Sequence, residues 1–331
     1  MKRVKRLFAC LLALTMMLGL SATAFAAGAV KLSDVSSVKI NKCYYLKGEG
    51  ESPAETFTFE VTKVSVANSE NTKENMPEID GFDIAYAKGD ATTAGTQKNC
   101  TLELPRVEDF KRPGVYTYNI TEKKGNTAGV KYDEGTVQLI VTVSYNENGN
   151  LIRTVALRKG DSKLGDSDNA FENTYIANKL SIKKMVEGNL GDKSKYFVFT
   201  VKLTGKEGET YTLPATITGG SAGSEKEENV TIDGTTTFKL KHNDTITIEN
   251  LPKGVKYEVK EDSSSSAGYE VSATGDNGTM GEEAQTAVFT NTKTGDIDTG
   301  VYLDNLPYIL VFAGVLAIAA VFVVRRRRFE D

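Results

Sequence analysis

Val38-Lys39-Ile40-Asn41-Lys42 and Leu180-Ser181-Ile182-Lys183-Lys184 are one pattern written twice. The first leads to Phe57-Thr58-Phe59 and the second to Phe197-Val198-Phe199. Further along, Gly114-Val115-Tyr116-Thr117-Tyr118-Asn119-Ile120-Thr121-Glu122 is echoed by Gly254-Val255-Lys256-Tyr257-Glu258-Val259-Lys260-Glu261. Each half closes on Phe-x-Asn, as Phe171-Glu172-Asn173 and Phe289-Thr290-Asn291. Three segments recurring in one order mark two copies of a single domain, joined near Ala177-Asn178.

The repeated segments read as β-strands. Residues 57–61, 115–120, 137–145, 151–157, 196–203, 245–248 and 257–259 are rich in Val, Ile, Thr, Tyr and Phe. Clusters of Gly, Asn, Asp and Ser separate them, and Asn146-Glu147-Asn148-Gly149-Asn150 reads as a hairpin turn. Between the two chain ends no stretch has a helical period. Polar loops at 219–228 and 262–267 carry no recognisable chemistry, and residues 68–99 read as a surface insert. The pattern predicts an all-β chain of two tandem β-sandwiches.

Strand alternation then places chemistry inside those sandwiches. Side chains at i, i+2 and i+4 share one face. Val38 and Ile40 therefore carry Lys42 inward, and Leu180 and Ile182 carry Lys184. Tyr116, Tyr118 and Ile120 take Glu122 with them, and Val255, Tyr257 and Val259 take Glu261. Phe171 brings Asn173, and Phe289 brings Asn291. Lys39 and Lys183 point outward and serve as internal controls.

Burying a lone ammonium or carboxylate is strongly unfavourable, so such groups pair or neutralise. A buried Lys–Glu ion pair, or charged groups reaching water at a strand end, would satisfy one domain. Recurrence of all three residues in both domains points instead to an intramolecular isopeptide bond. A desolvated lysine becomes the free amine that can attack a carbonyl. A desolvated glutamic acid stays protonated, polarises the asparagine amide and passes a proton to the departing ammonia. The fold supplies the proximity that would otherwise need a catalyst.

Composition narrows the alternatives. The chain has 331 residues, 40 Lys+Arg against 44 Asp+Glu, one His, three Cys and no Trp. It is 40% hydrophobic and 25% charged, as a folded protein is. The lone histidine, His242, excludes His-paired metal sites and disfavours a His-based triad. A near-neutral balance without a basic stripe argues against nucleic acid. No metal site, cofactor or phosphate-binding loop is evident, so an enzyme is not expected. Cys10 belongs to the leader, which leaves Cys43 and Cys100 as either a disulfide or two free thiols.

The two ends read as addresses. Lys2, Arg3, Lys5 and Arg6 precede the apolar run 7–20, and Ala24-Phe25-Ala26 supplies small residues for cleavage after Ala26. Residues 1–26 are expected to be a signal peptide; the run is short for a retained anchor. Residues 306–324 carry no charge and four arginines follow at 325–328, the pattern of a membrane helix with a cytoplasmic stop. The exported part between these ends is more acidic than the whole.

Over residues 35–293 the chain resembles the two-domain streptococcal-type pilus shaft subunits, whose modules are Ig-like Cna B-type β-sandwiches with self-generated Lys–Asn bonds. The resemblance rests on the x-x-Lys first strand, the Tyr-x-x-x-Glu strand and the Phe-x-Asn last strand. It implies a first domain over 27–177, linking Lys42 to Asn173 with Glu122 assisting. It implies a second over 178–293, linking Lys184 to Asn291 with Glu261 assisting. In this family those lysines and asparagines lie on adjacent first and last strands.

The same resemblance makes residues 294–331 a sorting signal. Asp296-Ile297-Asp298-Thr299-Gly300 precedes the apolar span, with Asp298 where the family usually has proline. A sortase would cut between Thr299 and Gly300. The family's acceptor lysine falls shortly before the last strand of the first domain, which points to Lys163, with Lys159 as runner-up. Expected partners are a sortase, neighbouring copies of the chain, and peptidoglycan or a basal pilin, with a host surface ligand as a further candidate. The implied function is a covalently polymerised, cell-wall-attached pilus subunit. The alternative is a singly wall-anchored adhesin that does not polymerise, and a plain type I membrane protein is the blandest reading.

Overall fold

The computed structural model describes residues 33–211, 215–221, 229–296 and 306–327. The expected signal peptide and the Thr299-Gly300 bond lie outside the described residues. Strands dominate because apolar and polar side chains alternate. Along residues 116–120, for example, Tyr116, Tyr118 and Ile120 are fully buried while Thr117 and Asn119 are only partly so.

The first half contributes β1 (Ser37–Gly48), β2 (Glu55–Ala67), β3 (Phe82–Tyr86), β4 (Thr96–Glu103) and β5 (Gly114–Glu122). It continues through β6 (Val130–Lys131), β7 (Thr136–Tyr145), β8 (Leu151–Lys159), β9 (Ser162–Lys163) and β10 (Phe171–Glu187). The second half adds β11 (Phe197–Thr204), β12 (Ala215–Gly219), β13 (Asn229–Val230), β14 (Thr235–Leu240) and β15 (Thr245–Pro252). It closes with β16 (Lys256–Glu261), β17 (Glu270–Thr274), β18 (Asn277–Thr279) and β19 (Gln285–Thr292). The Asn146 turn joins β7 to β8 as expected, with Gly149 N–H donating to the Asn146 carbonyl at 3.0 Å.

Among the described residues these strands form three sheets. A nine-stranded sheet runs β13-β12-β15-β10-β1-β4, with β6, β17 and β19 attached beside that path. A six-stranded sheet, β3-β2-β5-β7-β8-β9, covers its first part, and a four-stranded sheet, β14-β11-β16-β18, covers its second. Two separate apolar cores fill the sandwiches, one over residues 40–177 and the other over 180–289. The all-β, tandem-sandwich architecture is thus the one the alternation predicts.

One strand belongs to both sandwiches. β10 pairs in parallel with β1 through its first residues and in parallel with β19 through its last. Residues 126–128 also bond across the joint, with Ala128 N–H donating to the Thr210 carbonyl at 2.9 Å.

One expectation needs correction. Residues 68–99 are no surface insert: they supply β3 and the start of β4, and bury Met76, Ile79, Ile84, Tyr86 and Ala91 in the first core. Of the two readings open for Cys43 and Cys100, the structure has the free thiols. In the β1–β4 register Cys100 lies opposite Ile40 and shares its core-facing side, whereas Cys43 lies opposite Gln97 on the other face. Thiols on opposite faces of a sheet cannot meet.

After residue 296 the description resumes at helix α1 (Leu306–Arg327). Its described side chains, 308–319, are all exposed. Among the described residues no helix is long and apolar enough to cross a membrane.

Candidate functional site

Each sandwich holds one lysine, one glutamate and one asparagine against one another. Lys42, Asn173, Lys184 and Asn291 are all 0% exposed, and the Glu122 and Glu261 side chains are 0% and 2% exposed. The strand pairing explains why they meet. Lys42 lies opposite Phe171 in the β1–β10 register, so Asn173 is the next residue of β10 on the same face. Lys184 lies opposite Phe289 in the β10–β19 register, which gives Asn291 the same offset. Glu122 pairs with Phe59 and Glu261 with Phe199, each on the facing sheet. One construction is made twice.

In the first domain Lys42 Nζ sits 2.8 Å from Glu122 Oε2 and donates to Asn173 Oδ1 at 2.7 Å. Asn173 Nδ2 donates to the other carboxyl oxygen, Glu122 Oε1. The three groups close a ring in which the amine is held against the oxygen of the amide. In the second domain Lys184 Nζ sits 2.9 Å from Glu261 Oε2, and Asn291 Nδ2 donates to Glu261 Oε1 at 2.5 Å. Lys39 and Lys183, three residues and one residue before the buried lysines, are exposed.

Aromatic rings keep these sites dry. Lys42 Nζ lies 4.0 Å from the Phe57 ring centre and 5.7 Å from that of Phe59. Lys184 Nζ lies 4.4 Å and 5.7 Å from Phe197 and Phe199. A ring face attracts a cation modestly, by ~1 kcal/mol, but removal from water penalises the charge more. Burial accordingly lowers the Lys42 amine below the ordinary lysine range, against the opposing pull of Glu122. Burial also raises the Glu122 carboxyl, and Lys42 and Asn173 only partly offset it. Lys184 is lowered for the same reason, with Glu261 opposing. In the first site the two trends together favour a neutral amine beside a neutral acid.

The two acceptor candidates differ in availability. Lys163 stands exposed on the two-residue strand β9. Lys159 Nζ is engaged, 2.9 Å from Asp133 Oδ2 and donating to the Ala170 carbonyl at 2.9 Å. Sequence reasoning missed Asp133, which nothing in its local pattern marks: it lies between β6 and β7 and reaches the site through its backbone. Its N–H donates to Asn173 Oδ1 at 3.2 Å. Among the described residues no group of His, Cys, Asp or Glu is arranged to hold a metal ion.

Residues 38–176 match a family described as the Spy0128-like isopeptide containing domain. A pilin of Streptococcus pyogenes serotype M1 is 29% identical over 300 residues, covering 83% of this chain and 86% of that one. The chain is thus similar to the streptococcal-type major pilins. Residues 178–293 of this chain match a domain of unknown function. A major pilin of S. pyogenes shares its fold, with a TM-score of 0.55 at 24% identity over 80% of this chain and 100% of that one. A mutant of that protein matches with a TM-score of 0.53 at 25% identity, over 78% of this chain and 99% of the other. The pilus tip adhesin Cpa of S. pyogenes is 35% identical over 136 residues, but these span only 39% of this chain and 19% of the adhesin.

Proposed function

We propose that this chain is the repeating shaft subunit of a covalently polymerised surface pilus, closed by one self-made Lys–Asn isopeptide bond in each sandwich. The carrying observation is the duplicated cluster of a buried lysine, glutamate and asparagine in identical strand registers. Neutral Lys42 attacks Asn173 Cγ while Glu122 relays a proton to Nδ2, which leaves as ammonia. Lys184, Asn291 and Glu261 do the same in the second sandwich. Each domain reacts once and the protein turns over no other substrate. Holding the reactants together contributes an effective molarity of ~10⁵ M or more.

Each bond would fasten β10 to a strand beside it, β1 in one domain and β19 in the other. The export signal over 1–26 and a membrane-held tail over 306–324 would bring the folded pair to a sortase. Cleavage between Thr299 and Gly300 would then pass the new carboxyl to Lys163 of another copy. The exposure of Lys163 and the engagement of Lys159 favour Lys163 as that acceptor.

Cells making the chain with its sortase should give a ladder of polymers in a denaturing gel. Lys163→Ala should collapse that ladder to monomer, and Lys159→Ala should leave it. A wall-attached monomer in the unaltered chain would replace the shaft by the singly anchored adhesin.

A further inference from the structure

The two sites differ at one atom. Asn173 Oδ1 receives two donors, Lys42 Nζ at 2.7 Å and the Asp133 backbone N–H at 3.2 Å. Among the described residues Asn291 Oδ1 is buried with no hydrogen-bond partner. In an attack on an amide this oxygen gathers the negative charge, so a donor aimed at it lowers the barrier.

The N–H is held in place from several sides. Asp133 Oδ1 accepts the Gly135 N–H at 2.7 Å, which shapes the turn. Asp133 Oδ2 accepts the Glu172 N–H at 2.9 Å, fastening that turn to the residue before Asn173. Lys159 Nζ meets the same carboxyl oxygen at 2.9 Å and also donates to the Ala170 carbonyl at 2.9 Å. The salt bridge therefore braces the turn against the strand that carries the reacting amide.

Resting on the isopeptide reading above, we propose that the Asp133 backbone N–H is the oxyanion donor for the first domain's cross-link. The Asp133 and Lys159 side chains position it, and the second domain reacts without a counterpart. When Lys42 Nζ bonds to Asn173 Cγ, the carbonyl π pair moves onto Oδ1, and the Asp133 N–H stabilises that charge. The attacking nitrogen loses a proton and Nδ2 gains one through Glu122. As the Cγ–Nδ2 bond breaks, ammonia leaves and the carbonyl re-forms. No oxidant or reductant is needed.

The test follows bond formation in the full chain, synthesised in a cell-free system and quenched in acid at intervals. Mass spectrometry of proteolytic fragments counts the cross-link in each domain, and fluorescence of the buried tyrosines follows folding. In one variant the α-hydroxy analogue of aspartate replaces residue 133, turning the N–H into an ester oxygen while keeping the side chain. The expected result is a first-domain cross-linking rate lower by about a hundredfold. Folding and the second-domain cross-link should be unchanged. Lys159→Met should slow the first domain alone, by about tenfold, and decides the matter if the ester chain fails to fold. A first-domain rate unchanged by both substitutions overturns the proposal. Loss of no ammonia from either domain of the unaltered chain would instead remove the isopeptide reading itself.

Discussion

Asn173 and Lys184 lie on one uninterrupted strand, yet each faces a different core. Along β10 the inward positions are first odd, Phe171, Asn173, Tyr175 and Ala177, and then even, Leu180, Ile182, Lys184 and Val186. The phase changes where pairing with β15 shifts register between Asn178 and Leu180. Without that slip Lys184 would point away from the second core. The strand thus supplies the amide to one site and the amine to the next.

Because the cores are separate, the two reactions should be independent. Glu122→Ala should restore one ammonia to the mass of the chain, Glu261→Ala another, and the double variant both. Each substitution also leaves a buried lysine without its partner, which costs ~3–5 kcal/mol. Urea unfolding of each variant checks that figure; variants that retain the cross-linked mass would remove the glutamates from the chemistry.

Opening the lid over Lys42 should make the reaction depend on pH. Burial is what lowers the Lys42 amine, and the Phe57 ring lies 4.0 Å from it. Phe57→Ala admits water and returns the amine toward its ordinary value of ~10.4. The protonated form then prevails at neutral pH, so cross-linking should slow there and accelerate as pH rises. Stability should also fall by ~3–5 kcal/mol from the cavity. Rates measured by mass between pH 6 and 10 test this, and a flat profile matching the parent contradicts it.

The segment before β1 is tied down by a second ion pair. Asp34 meets the nearly buried Arg153 at 2.6 Å, and the Arg153 backbone N–H also donates to it at 2.7 Å. These hydrogen bonds hold the Asp34 carboxyl below the usual aspartate range. A lowered folded-state pKa stabilises fully above the unfolded value, ~3.9, and this contribution vanishes as pH falls through the folded value. With Asp34 partly exposed, Asp34→Ala should cost about 1–2 kcal/mol at pH 7. The gap to the parent should close toward pH 2 in thermal unfolding; a gap constant across that range would refute the pair's role.

Much of the site was legible in the sequence because a period of two is a strict constraint. Once Ile40 and Leu180 are placed inside, Lys42 and Lys184 have no other side to face, and the outward lysines beside them are exposed. Residues 68–99 were misread because their apolar groups are scattered among polar ones, and Met76 and Ile79 reach the core from irregular backbone. The continuity of β10 was hidden because a register slip resembles a domain boundary when only alternation is visible. Asp133 could not be found, since its contribution is a backbone N–H placed by tertiary contacts.

The most direct measurement is the intact mass of the exported chain, purified and denatured before analysis. Two closed bonds predict a mass below the sequence value by two molecules of ammonia. A mass equal to the sequence value would leave two buried ion pairs and contradict the cross-linked shaft.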